Sequence, residues 1–189
     1  MHRYQFALAA LATALLPGAV AAQEGEASIS DSESFQVIGT VPVLCSIGIP
    51  DNSGGVFDMG VLVDTTTGLL RTDLAAPDKI LGGAFCTSRS TIAIDATPML
   101  ALNFAGTPPA GFASSVDYVA AATGWTVTPA SFDTAASSNP AASQSRASAF
   151  TGNIAVGVSD FATSGGANLR PVADDEYLGE ITVTLSASE

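Results

Sequence analysis

The segment EYLGEITVTLSASE, residues 176–189, constrains the fold more than any other stretch of the chain. Its odd positions read Tyr177, Gly179, Ile181, Val183 and Leu185; its even positions read Leu178, Glu180, Thr182, Thr184 and Ser186. Near-strict alternation of this kind belongs to a strand with one buried and one wet face. A strand so placed is expected to have no following neighbour joined to it by a short hairpin. An unpaired edge of β-branched apolar residues is a template for another strand. The chain is therefore expected to be β-rich, and to carry or recruit something that covers this edge.

The same period recurs upstream. Phe35, Val37, Gly39, Val41, Val43, Cys45 and Ile47 fall on one face of an expected strand. VFDMGVLV (56–63) reads as a short strand after the turn IPDNSGG. ILGGAFCTSRSTIAIDA (80–96) reads as one long strand region in which Ile92 and Ile94 point the same way. SVDYVAA and GWTVTP read as a hairpin around Thr123–Gly124, and AFTGNIAVGV as another strand. Residues 130–148, ASFDTAASSNPAASQSRAS, read as a low-complexity loop too polar to pack. About seven short strands separated by turn signals give an all-β sandwich, with an up-and-down barrel as the alternative.

The amino terminus has the layout of a signal peptide over residues 1–22. His2 and Arg3 make a basic start, Phe6 to Leu16 an apolar stretch, and Ala19 to Ala22 a small-residue cleavage site. Residues 23–34 then form a polar, acidic extension, followed by one domain over 35–189. No second long apolar run follows, so no integral membrane segment is expected after cleavage. A formal charge of −12 disfavours nucleic acid and anionic lipid, which require clustered Lys and Arg. In an exported chain the only two cysteines, Cys45 and Cys86, read as a disulfide. Closing a loop of about forty residues stabilises a fold by roughly 4 kcal/mol on the chain-entropy model.

Catalytic chemistry is narrowly bounded. The one histidine, His2, lies in the signal, which removes Ser-His-Asp and Cys-His machinery and ordinary zinc sites. Lys79 is the only lysine, and neither a phosphate loop nor a dinucleotide-binding glycine motif is present. Carboxylates remain: Asp174, Asp175 and Glu176 cluster before the final strand. They are the residue types of a glycosidase pair or a calcium cage, yet no Asp-x-Asp-x-Asp-Gly loop is present. Tyr118 and Trp125 read as hairpin core or as a ligand platform, and Arg89 and Arg146 as solvated lone charges. No catalytic residue, cofactor or metal ligand is assigned, and the chain is not read as an enzyme.

Several short motifs, in order, resemble subunits of chaperone–usher pili, in particular the archaic branch with the spore coat protein U-like domain. A polar tail leads through Phe35 and Gly39 to Cys45, and VFDMG follows the first cysteine. Cys86 stands in FCTSRSTIAIDA, VDYVAAATGW resembles the family's Tyr-containing hairpin near a Trp, and EYLGEITVTLSA its closing strand. ADDEY stands where the family usually has Pro-x-Gly-x-Tyr, and residues 130–148 have no counterpart. The resemblance implies an immunoglobulin-like (pilin-type) sandwich lacking its seventh strand, with an apolar groove beside the last one. A periplasmic chaperone would fill the groove first, and then the amino-terminal extension of the next subunit, at an outer-membrane usher. It also implies export to the periplasm and then the cell surface, with neighbouring pilin subunits as partners. The acceptor edge would be Ile181, Val183 and Leu185, with Ile92 and Ile94 as groove floor. The donor would lie between Ser28 and Val37, with Ile29, Phe35 and Val37 as pegs; burying three such side chains is worth roughly 5–8 kcal/mol gross. The alternative is a secreted monomeric immunoglobulin-like binding module, or a tip adhesin, that recognises a surface ligand.

Overall fold

A computed structural model describes residues 30–51 and 54–188. The signal segment 1–22 and the donor position Ile29 lie outside the described residues. The chain divides into two compact units, Met1–Gly39 and Thr40–Glu189. Of the first, residues 30–39 are described: they form no strand, and Phe35 and Val37 are 88% and 97% exposed.

The second unit is all-β, with no helix among the described residues. Its strands are β1 (Cys45–Ser46), β2 (Ile49–Pro50), β3 (Lys79–Cys86), β4 (Ser90–Ala96), β5 (Met99–Ala101), β6 (Phe112–Ala113) and β7 (Ser115–Thr123). They continue with β8 (Ala130–Asp133), β9 (Ser143–Arg146), β10 (Phe150–Thr163), β11 (Arg170–Pro171), β12 (Tyr177–Leu178) and β13 (Ile181–Ala187). The larger sheet runs β1-β3-β10-β7-β5-β12, with β2 also paired to β3 and β8 to β7; the smaller runs β13-β4-β9. Both are antiparallel, in a sandwich-like arrangement, and a short parallel pair, β6 with β11, stands apart.

Alternation places the core. In β4, Ser90, Ile92, Ile94 and Ala96 are all buried, on one face of the strand. The buried cluster joins them to Ala84 and Cys86 of β3, Tyr118, Ala120 and Ala122 of β7, and Ile154 and Val156 of β10. Trp125, 0% exposed, fills the end of this core, and its indole Nε1–H donates to Ser90 Oγ at 3.1 Å. That bond explains how a serine sits on the buried face, since buried polar atoms need partners.

Several expected elements fold differently. The strand expected from Phe35 onward exists only as β1 and β2, because residues 35–43 have no ladder partner. VFDMGVLV is reduced to one bridge, Val63 with Leu70. The long strand over 80–96 is two, β3 and β4, which diverge at Thr87–Arg89 into different sheets. The hairpin partner of β7 is not 125–129 but β8, which belongs to the segment read as a polar loop. Trp125 dives into the core instead, after Gly124 turns with φ 88°; a side chain there would meet Asn153 O at 2.5 Å. Residues 130–148 thus carry two strands, β8 and β9, whose ladders use backbone groups and need no apolar run. Arg146 of β9 is not a solvated lone charge. Its guanidinium lies 3.6 Å from the Phe150 ring centroid, and Nη1–H donates to Trp125 O at 2.8 Å. The closing alternation is split as well: β12 pairs with β5 of the larger sheet, β13 with β4 of the smaller.

Candidate functional site

All seven residues of β13 are in register with β4, from Ile181 opposite Ala96 to Ala187 opposite Ser90. Its other edge carries no ladder among the described residues. Thr182, Thr184 and Ser186 face solvent, while Ile181, Val183 and Leu185 are half-buried and pack on the core. Beside Ile181 and Val183 lies a cleft of about 1250 Å³. Leu81 of β3, Tyr118 of β7, Val156, Val158 and Phe161 of β10, and Met99 of β5 line it from the larger sheet.

The cleft lining depends on a bulge in β10. Its register against β7 shifts between Ser159 and Ala162, and Asp160 adopts φ 53°. Bulges re-aim a side chain, and Asp tolerates the left-handed region better than most residues. Phe161 stacks with Tyr118 at 5.9 Å between centroids. Tyr118 is 3% exposed, and its hydroxyl donates to Glu180 O at 3.3 Å, tying the lining to the residue before β13. Burial pushes the Tyr118 phenol up to about 12.

Residues 54–63 supply a further wall. Phe57 is half-buried and packs against the core, with Lys79 Nζ 5.6 Å from its ring centroid. The charged groups along the cleft include Lys79 and Arg170 together with Asp58, Asp174 and Glu180. Cys45 and Cys86 are register partners in the β1–β3 ladder and form the disulfide, with Cα atoms 4.1 Å apart. Asp174 fixes a turn: Asn103 N–H donates to it at 2.8 Å, Asn103 Nδ2 at 3.0 Å and Glu176 N–H at 2.9 Å. The Glu176 amide, followed by the Asn103 donors, holds the Asp174 carboxyl below its ordinary range. No group of three or more His, Cys, Asp or Glu side chains is placed to hold a metal among the described residues.

The residues singled out in the sequence divide between cleft and core. Ile181 and Val183 line the cleft, whereas Leu185, opposite Ile92, packs on the core outside it. Ile92 and Ile94, at 0% and 3% exposure, are sealed in the closed core and are not the cleft's floor. The reason is topological. β4 is bonded to β13 within one sheet, and its inner face is already covered by the other sheet. The floor comes from Leu81, Val156, Val158 and Phe161 instead, residues not assigned from the sequence. The alternating AVGV of β10 signals Val156 and Val158, the bulge hides Phe161 from it, and Leu81 lies in the strand region read over 80–96. Comparison with protein-family models, with characterised proteins and with solved structures finds no match.

Proposed function

We propose that this chain is a structural subunit of a surface filament, assembled by strand addition and carrying no catalytic site. On this reading the sandwich is of the immunoglobulin-like pilin type and lacks one strand, which a second chain supplies. The observation that carries the reading is the unladdered edge of β13 beside an apolar cleft of about 1250 Å³. An added strand gains main-chain hydrogen bonds along that edge and places alternate side chains between the sheets. The exposed Phe35 and Val37 support the amino-terminal extension of another copy as donor. A head-to-tail contact of this kind does not close on itself and propagates as a fibre. Export, chaperone escort and an outer-membrane usher belong to the same proposal.

Light scattering tests it. Residues 23–189 should form ladders or filaments, a version lacking 23–37 should remain small, and added peptide 23–37 should cap the truncated protein one to one. A stable monomer that ignores both truncation and peptide would overturn the reading.

A further inference from the structure

Residues 54–60 line the cleft but belong to no strand. Their side chains nevertheless alternate as a strand's do. Phe57 and Met59 are half-buried, while Val56, Asp58 and Gly60 are exposed. Among the described residues, its backbone-to-backbone ties lie beyond its ends. On one side Asp51 N–H donates to Ile80 O at 2.8 Å. On the other, Arg71 N–H donates to Leu62 O at 2.9 Å, next to the Val63–Leu70 bridge. Among the described residues, Arg71 Nη1–H also donates to Val61 O at 3.3 Å, and within 54–60 the hydrogen bond to a backbone group is local, Gly60 N–H to Asp58 Oδ1 at 2.9 Å. Gly54 and Gly60 have φ 70° and 61°, and nothing lies within 4 Å of a side chain built at either. Two open glycine pivots therefore flank a segment held by Phe57 and its contact with Lys79, with Met59 half-buried two residues on.

We propose that residues 54–60 are a displaceable strap that covers part of the cleft in the isolated subunit and moves aside when a strand seats there. This deepens the strand-addition reading and rests on it for the identity of the incoming strand. A segment held by side chains and no ladder opens at lower cost than the strands around it. Phe57, the larger of the two inward side chains, dominates that cost. Because the strap occupies apolar space that a donor strand would use, it also delays premature pairing of an exposed edge.

The test uses the full chain at a concentration where light scattering reads monomer, and follows methionine oxidation by mass spectrometry. Met59 rides on the strap and Met99 is fixed in the β5–β7 ladder, so their rate ratio reports strap opening. Phe57→Ala should raise the Met59 to Met99 ratio about tenfold, the equivalent of losing one buried aromatic anchor. Phe57→Leu keeps apolar bulk without the ring beneath Lys79 and should give a rise of about threefold. It also serves as the decisive variant if Phe57→Ala fails to fold. A ratio unchanged in folded variants would overturn the strap. In a second arm, peptide 23–37 should associate roughly tenfold faster with Phe57→Ala than with the unaltered chain. Equal association rates would refute the gating role. A peptide that binds neither protein refutes strand addition by this tail, and the Met59 ratio then decides the strap alone.

Discussion

Removing the disulfide probes whether β1 belongs to the cooperative fold. β1 is two residues long, yet it carries the chain from the amino-terminal segment into the larger sheet. Cys45 and Cys86 are 41 residues apart, so the chain-entropy model assigns the cross-link about 4 kcal/mol at 25 °C. A clasp at Thr87 remains without it. Thr87 N–H donates to Leu44 O at 2.9 Å, Leu44 N–H to Thr87 Oγ1 at 3.0 Å, and Thr87 Oγ1–H to Pro42 O at 3.0 Å. These bonds hold β1 in register in the folded state and leave the unfolded state free to expand, which is the condition for the full entropic loss. The Cys45→Ala/Cys86→Ala variant should therefore lose about 4 kcal/mol. With a urea slope of about 2 kcal/mol/M, its midpoint falls by about 2 M. Fluorescence of Trp125, buried in the core, follows the transition, and the unaltered chain in reductant should match the variant. A loss below about 1 kcal/mol at unchanged slope would refute the reasoning. It would mean that β1 detaches before the core unfolds, so that closing the 41-residue loop constrains nothing in the measured transition.

Three further outcomes follow from single sites. Gly48 has φ 86°, and a side chain there would run into Gly82 O; Gly48→Ala should cost about 3 kcal/mol in urea unfolding. Tyr118 titrates near 12 when folded and near 10 when unfolded. A raised pKa means its stabilisation is complete below about pH 10 and is lost as pH rises toward 12. Tyr118→Phe should flatten stability over that alkaline range, read by thermal melts against pH. Asp174 behaves oppositely: its folded pKa is lowered by the Glu176 amide and the Asn103 donors. Its contribution is present above its ordinary value and lost as pH falls through the folded one. Asp174→Asn should reduce the slope of stability with pH below about 4, and an unchanged slope would remove that turn from the acid response.

Side-chain period was legible in the sequence; partnership was not. The alternations of β4, β7 and β13 located strands because each has both a buried face and a bonded neighbour. β9 escaped because SQSR forms its ladder through backbone groups without an apolar residue, and β8 because its apolar period is a single pair, Ala130 and Phe132, at the head of a polar segment. The closing alternation read as one strand because its period continues through Gly179. At that point the chain changes sheets, from β5 to β4, and a side chain on Gly179 would meet Thr97 O at 2.8 Å. Only the tertiary neighbour distinguishes that break from a continuous strand. The cleft lining was legible in part, since Ile181 and Val183 follow from alternation alone. The floor was not, because Leu81 and Phe161 reach the cleft through a sheet crossing and a bulge.

Three segments of this chain carry the side-chain period of a strand with an incomplete ladder, and they explain one another. Among the described residues, 35–43 alternate apolar positions without a ladder partner, 54–60 alternate likewise beside the cleft, and β13 is laddered along one edge. Alternation shapes a segment to lie between a wet and a dry surface, but its backbone groups still need partners once water is excluded. A fold that closes on itself would spend such segments in its own sheets, as β10 is spent between β3 and β7. On the strand-addition reading proposed above, the edge of β13, the segment 54–60 and the exposed alternating tail would serve as acceptor, cover and donor within one sequence. Such an addition at β13 would satisfy the edge and bury the tail in one step. On that reading 54–60 is the one of the three segments that would have to give way, so the strap proposal puts the rate of that step on Phe57 and not on a residue of β13.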